Sequence, residues 1–158
     1  MSQLCFTTEI AELTIEAATI RADADAALSA VDHLIQKIKS ARLSARASLS
    51  TDGKLRWTRI AEDAAIEADE YLKIRVQETT PGFRAVPMTL TEIRWGRGQF
   101  KKTAELRIAA LEARIGFMQA LEGDDVLELE RQNRRMLDAE GDIESHQHWA
   151  LCHARFSA

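Results

Sequence analysis

Cysteine is scarce in this chain of 158 residues: only Cys5 and Cys152 occur, one near each end. Two thiols do not make a disulfide framework, so the reading expects semi-buried, reduced cysteines and a cytoplasmic setting. Proline and glycine are also few, at two and seven residues. An all-β fold needs frequent turns, so this class is excluded. No stretch approaches the roughly 18 to 20 unbroken apolar residues of a membrane span, so no membrane partner is expected. The first residues, Met1-Ser2-Gln3-Leu4-Cys5, lack a basic region and an apolar core, and no secretory signal is expected. A net charge of −4 gives no global attraction to nucleic acid.

What the chain does have is apolar periodicity. Apolar residues make up 46% and charged residues 29%, the balance of a folded domain rather than a disordered one. Ile10, Leu13, Ala17, Ile20, Ala24, Ala27, Val31, Leu34, Ile38, Ala41 and Ala45 follow one another at alternating spacings of three and four. This is a heptad seam, and no proline or glycine interrupts residues 8 to 50. The spacing predicts one helix roughly 60 Å long. Leu28 and Ile35 widen the stripe, which favours a bundle over an isolated two-stranded coil.

Ser50-Thr51-Asp52-Gly53 reads as a turn, followed by a second helix over about 55–78. So short a turn makes an antiparallel hairpin. The first helix is the longer, and its N-terminal half needs a partner, either the fourth helix or another chain. Residues 79–90 hold both prolines and form the one linker. Thr89-Leu90-Thr91-Glu92 and Asp125-Val126-Leu127-Glu128 read as capping boxes that open a third and a fourth helix. Gly96 and Gly98 weaken the start of the third. The expected fold is all-α: an elongated helical bundle of two antiparallel helical hairpins, about four helices, with a long coiled-coil-like first helix. It forms a single domain over 1–158, as hairpin 8–78, linker 79–90 and hairpin 91–155.

Charge is unevenly laid out. Lys37, Lys39, Arg42, Arg46, Lys54, Arg56 and Arg59 gather around the first hairpin turn, opposed only by Asp52. Cations at the end of the first helix suit its dipole, whereas those opening the second oppose it. In an up-down-up-down bundle the turn between the third and fourth helices lies at the same end. That turn carries Glu122, Asp124, Asp125, Glu128 and Glu130 and no base. At the other end Glu9, Glu12 and Glu16 would face Arg94, Arg97, Lys101 and Lys102. The expectation is internal complementarity that selects the topology, with the same complementarity open between subunits.

Chemistry-bearing motifs are sparse. His148 and Cys152 stand at i and i+4, with Glu144 a turn earlier, and could offer metal ligands completed by Cys5 or His33. No CxxC or HExxH accompanies them, so no metal or other cofactor is expected. Di-iron bundles use Glu-x-x-His on two helices, and that motif is absent. Glu9-x-x-Glu12 and Glu67-x-x-Glu70 resemble the paired acidic motifs with which all-α NTP pyrophosphohydrolases hold Mg²⁺. The second motif ends in Glu rather than Asp, and the two are too far apart in sequence.

The resulting expectation is a non-enzymatic interaction or assembly protein that self-associates through the first helix. Its interface would use Ile10, Leu13, Ala17 and Ile20, with Phe83 and Met88 of the linker. The partner is a protein, as a homo-oligomer or larger assembly. The alternative is nucleic-acid binding through Lys37, Lys39, Arg42, Arg46, Arg56 and Arg59. Arg94, Arg97, Lys101 and Lys102 would assist it, interleaved with Trp95 and Phe100.

Overall fold

Four helices account for the fold: α1 Thr7–Ala47, α2 Thr51–Thr79, α3 Leu90–Glu122 and α4 Val126–Phe156. The computed structural model describes residues 5–79 and 89–156, with side chains described for 5–72 and 89–149. No strand occurs among the described residues, so the all-α class holds and the helix packing is that of a bundle. Phe83 and Met88, and both prolines, lie outside the described residues.

Three of the four helix starts, those of α2, α3 and α4, are capped by their own sequence. At α2 the expected turn is displaced. It occupies 48–50, and Asp52 and Gly53 already belong to the first helical turn. Ser50 is the reason. Its Oγ accepts from the Gly53 N–H at 3.0 Å and its carbonyl from the Lys54 N–H at 3.1 Å, so it acts as the N-cap. A Cβ at Gly53 would lie 2.8 Å from Ser50 Oγ and closer still to Ser48 Oγ, so glycine lets this turn close. At α3 the capping box forms in both directions. The Thr89 N–H donates to Glu92 Oε2 at 2.9 Å, and the Glu92 N–H to Thr89 Oγ1 at 3.3 Å. At α4 only half the box forms. Asp125 Oδ1 accepts from the Leu127 and Glu128 N–H groups at 3.0 and 3.2 Å, while Glu128 turns to Arg131 at 2.9 Å.

The chain divides into two units. One joins residues 5–24 of α1 to 102–122 of α3 and α4 as far as 149. Here Glu122 Oε1 accepts from the Phe6 N–H at 2.6 Å, and Arg21 pairs with Glu112 at 3.1 Å. The residue order along the two helices is opposite, so α1 and α3 are antiparallel in this unit. The up-down-up-down expectation, with α3 parallel to α1, is therefore corrected. A physical reason is at hand. The first N–H groups of α1 lack intrahelical acceptors and carry the positive end of its dipole, and Glu122 supplies a carboxylate to them. α3 and α4 approach closely at Gly116, where a Cβ would lie 2.6 Å from Gln132 Oε1.

The second unit joins residues 25–47 of α1, all of α2 and 90–101 of α3, with 150–156. It holds the better core. Val31, Leu34, Ile35 and Ile38 of α1 are buried against Ala61, Ala64, Ala68 and Leu72 of α2 and Ile93 and Phe100 of α3. The alanines of α2 let the backbones close on the larger α1 side chains. The expected weak start of α3 does not appear. It is helical from Leu90, and Gly96 is buried between Ile93 and Phe100 in sequence on the inner side.

The first unit is different in kind. Its buried residues are Ala17, Ala24, Thr103, Ala104, Ala113 and Ala120. Every large apolar side chain described there, Leu13, Ile20, Leu111, Ile115, Leu129 and Ile143 among them, keeps part of its surface in solvent. α4 contributes no buried residue among those described.

Thr103 is buried, and its hydroxyl has no hydrogen-bond partner. A buried, unsatisfied hydroxyl costs about 1–3 kcal/mol. Thr103→Val removes it at nearly constant volume. The expected outcome is a gain of about 1 kcal/mol in urea-unfolding free energy, and a loss would mean that the hydroxyl is satisfied.

Candidate interaction surfaces

Three surfaces stand out once the helices are placed. The first is the tip of the α1–α2 hairpin, in the second unit. Between residues 37 and 59 seven cations face one acid, Asp52. Lys37, Arg42, Arg46, Lys54, Arg56 and Arg59 are exposed and Lys39 is half-buried. No ion pair forms at any of the seven among the described residues. Leucines share the tip: Leu43 and Leu55 are each 64% exposed, and Leu49 at the apex is fully exposed. Trp57 is 37% exposed.

Between these helices runs an open groove of ≈ 440 Å³. Ala45, Ala61 and Ala65 form its floor. Arg42 and Arg46 stand on the α1 rim, Thr58, Glu62 and Ile66 on the α2 rim. Alanine floors are shallow, and Ile66 remains 45% exposed.

The second surface is the acidic α3–α4 turn, in the first unit. Glu122 is held by the start of α1 and Glu128 by Arg131 and Gln132. Asp124, Asp125 and Glu130 are exposed, with Val126 at 67% and Leu127 at 75% beside them. This corrects the expected charge layout. The acidic turn sits at the first residues of α1 and the basic tip at its last, in different units. Glu9, Glu12 and Glu16 belong to the first unit with Lys102, whereas Arg94, Arg97 and Lys101 belong to the second.

The third surface is on α1. Ile10, Leu13 and Ile20 are half-buried and Ala17 is buried within the first unit. The expected overhang is thus faced by α3 and α4 of the same chain, incompletely. A second stripe, not singled out from sequence, is Ala11, Ile15, Ala18 and Ala22. All four are exposed, Ile15 at 67%. The spacing of 4, 3 and 4 was readable, but the stronger seam beside it masks it.

The segment 94–102 is only in part a surface. Phe100 and Gln99 are buried, and Trp95 is half-buried. Arg97 forks onto Asp32, Nε to Oδ1 at 2.6 Å and Nη2 to Oδ2 at 2.8 Å. Arg94, Lys101 and Lys102 are exposed. The hydrogen bonds from Arg97 hold the Asp32 carboxyl below its ordinary range; burial opposes this and Coulomb attraction adds to it. The same bonds raise the Arg97 guanidinium.

Among the described residues no group of three or more His, Cys, Asp or Glu side chains could hold a metal ion. His148 is exposed and the side chain of Cys152 lies outside the described set. His146 stacks on Trp149 with ring centroids 6.3 Å apart. Glu9 and Glu12 fall in one unit, Glu67 and Glu70 in the other, all exposed. Among the described residues no helix is long and apolar enough to cross a membrane.

The Asp32–Arg97 pair gives a pH test. A carboxyl whose pKa is lowered by folding adds stability above its unfolded value near 4 and loses it as pH falls through the folded value. Asp32 is half exposed, so the contribution is about 1 kcal/mol or less. Asp32→Asn is expected to lower unfolding free energy at pH 7, with a smaller gap to the native chain at pH 3. A gap equal at both pH values would rule out the ionic contribution.

No protein-family model, curated protein or solved structure matches the chain.

Proposed function

We propose that this chain is a non-enzymatic, cytoplasmic helical assembly protein that self-associates, coiled-coil fashion, through the N-terminal half of α1. One observation carries the reading: the first unit buries only alanines and Thr103, while its large apolar side chains stay partly in water. Removing apolar surface from water is worth roughly 25 cal/mol per Å², so an incomplete core is a standing drive toward association. A second copy of the same unit meets the need without another partner. The outer stripe of Ala11, Ile15, Ala18 and Ala22 is free of charge and small enough for helices to approach closely. A two-fold contact along it is self-complementary, since the same patch serves both copies. Ile10, Leu13 and Ile20 flank the association by closing the inner seam.

Ile15→Asp puts a charge in the middle of this contact at a position already exposed in the single chain. Light scattering on a sizing column at 1 M salt should give twice 17.7 kDa for the native chain and 17.7 kDa for the variant, at unchanged helicity. Leu13→Asp should lower helicity as well, because Leu13 is half-buried within its own unit. A native mass of one chain at all concentrations, or an unchanged mass in Ile15→Asp, would overturn the reading.

A further inference from the structure

The hairpin tip carries a need that the first unit does not answer. Its cations lie without ion-pair partners among the described residues, three leucines beside them are exposed, and an alanine-floored groove opens between its helices. Cations alone would suit any polyanion. The leucines narrow the choice, because contacts to a phosphate backbone gain nothing from an exposed Leu49 or Leu55. The tip asks for a partner that is acidic and apolar together, and narrow enough to lie on alanines between two helices.

The chain itself contains such a segment. The start of α4 is helical, with Val126 and Leu127 exposed and with Asp124 and Glu130 in no ion pair among the described residues. Within the chain it belongs to the other unit.

We infer that the α1–α2 groove receives the acidic start of α4 from a second copy, so that copies join head to tail. Val126 and Leu127 cover Ala61 and Ala65 beside Ile66. Asp124 and Glu130 meet Arg42 and Arg46. The two patches differ, so the contact is heterologous, and a pair joined this way still has one tip and one turn free. Unlike the two-fold contact along α1, it is not satisfied within a dimer, so assembly grows past two copies with concentration, as rings or open chains. The inference extends the self-association reading by a second surface and is tested apart from it.

The test is light scattering over a concentration series, with absorbance at 260 and 280 nm. The native chain should exceed twice 17.7 kDa at low salt and fall back to that mass at 1 M salt, where the Debye length is about 3 Å. Arg42→Glu with Arg46→Glu should stop growth at the dimer, and so should Asp124→Lys with Glu130→Lys. Both pairs of changes in one chain restore the charge match and should restore growth. Asp125 is left intact because it caps α4. Helicity of each variant is followed by circular dichroism. Growth untouched by either reversal, or lost and not restored by the swap, overturns the inference. So does a native chain that stops at the dimer. A peak with excess 260 nm absorbance that the tip reversal abolishes assigns the tip to nucleic acid instead. If Ile15→Asp lowers the mass while the tip reversal does nothing, only the head-to-tail contact falls.

Discussion

A 41-residue helix with an unbroken apolar seam must be covered along its whole length, and α1 is covered well only along part of it. From Ala27 to Ala41 its seam is buried by α2 and the start of α3. From Ile10 to Ile20 only Ala17 reaches full burial. One continuous helix therefore has a saturated stretch and an unsaturated one. Helix continuity makes the difference consequential: the unsaturated stretch cannot bend back on itself to hide its surface.

Charge decides direction where packing leaves it open. Alanine-rich seams fit parallel and antiparallel neighbours about equally well, so they do not specify the orientation of α3. The Phe6 N–H to Glu122 contact does, together with Arg21–Glu112. Each exposed pair contributes only about 0–1 kcal/mol. Small terms of this size suffice to choose between arrangements with similar cores. The basic tip and the acidic turn fall in different units, and each keeps exposed charge.

How much of this was legible in the sequence depends on the range of the interaction. The local features were readable: the four helices, the Thr89–Glu92 box and the buried seam at Val31, Leu34 and Ile38 follow from spacing within a few residues. Gly53 was misread as a turn because Asp-Gly is a strong turn signal, yet Ser50 caps the helix three residues earlier. The direction of α3 was not readable. It rests on contacts over 91 and 116 residues of sequence, for which periodicity carries no signal. For the same reason Arg97 was set against the wrong acids, Glu9, Glu12 and Glu16: its acceptor, Asp32, is 65 residues away and sits among the polar positions of another helix. Thr103 and Gln99 were silent too, since polar residues at buried positions break the pattern that reveals a core.

The unequal cores also bear on stability. In the second unit large side chains such as Val31 and Ile38 are almost wholly removed from water, and Leu34 and Ile35 nearly so, within one chain. In the first unit the comparable side chains are removed only in part, and alanines provide the burial. An alanine contributes little transfer free energy, about a third of what a leucine or isoleucine does. The first unit therefore depends more on whatever completes it. A partner that binds the folded form alone adds stability in proportion to the logarithm of its concentration. On that account the two units need not be equally stable in isolation. Under the proposed self-association the one bearing the acidic turn would gain more order, while the one bearing the basic tip is held by its own core.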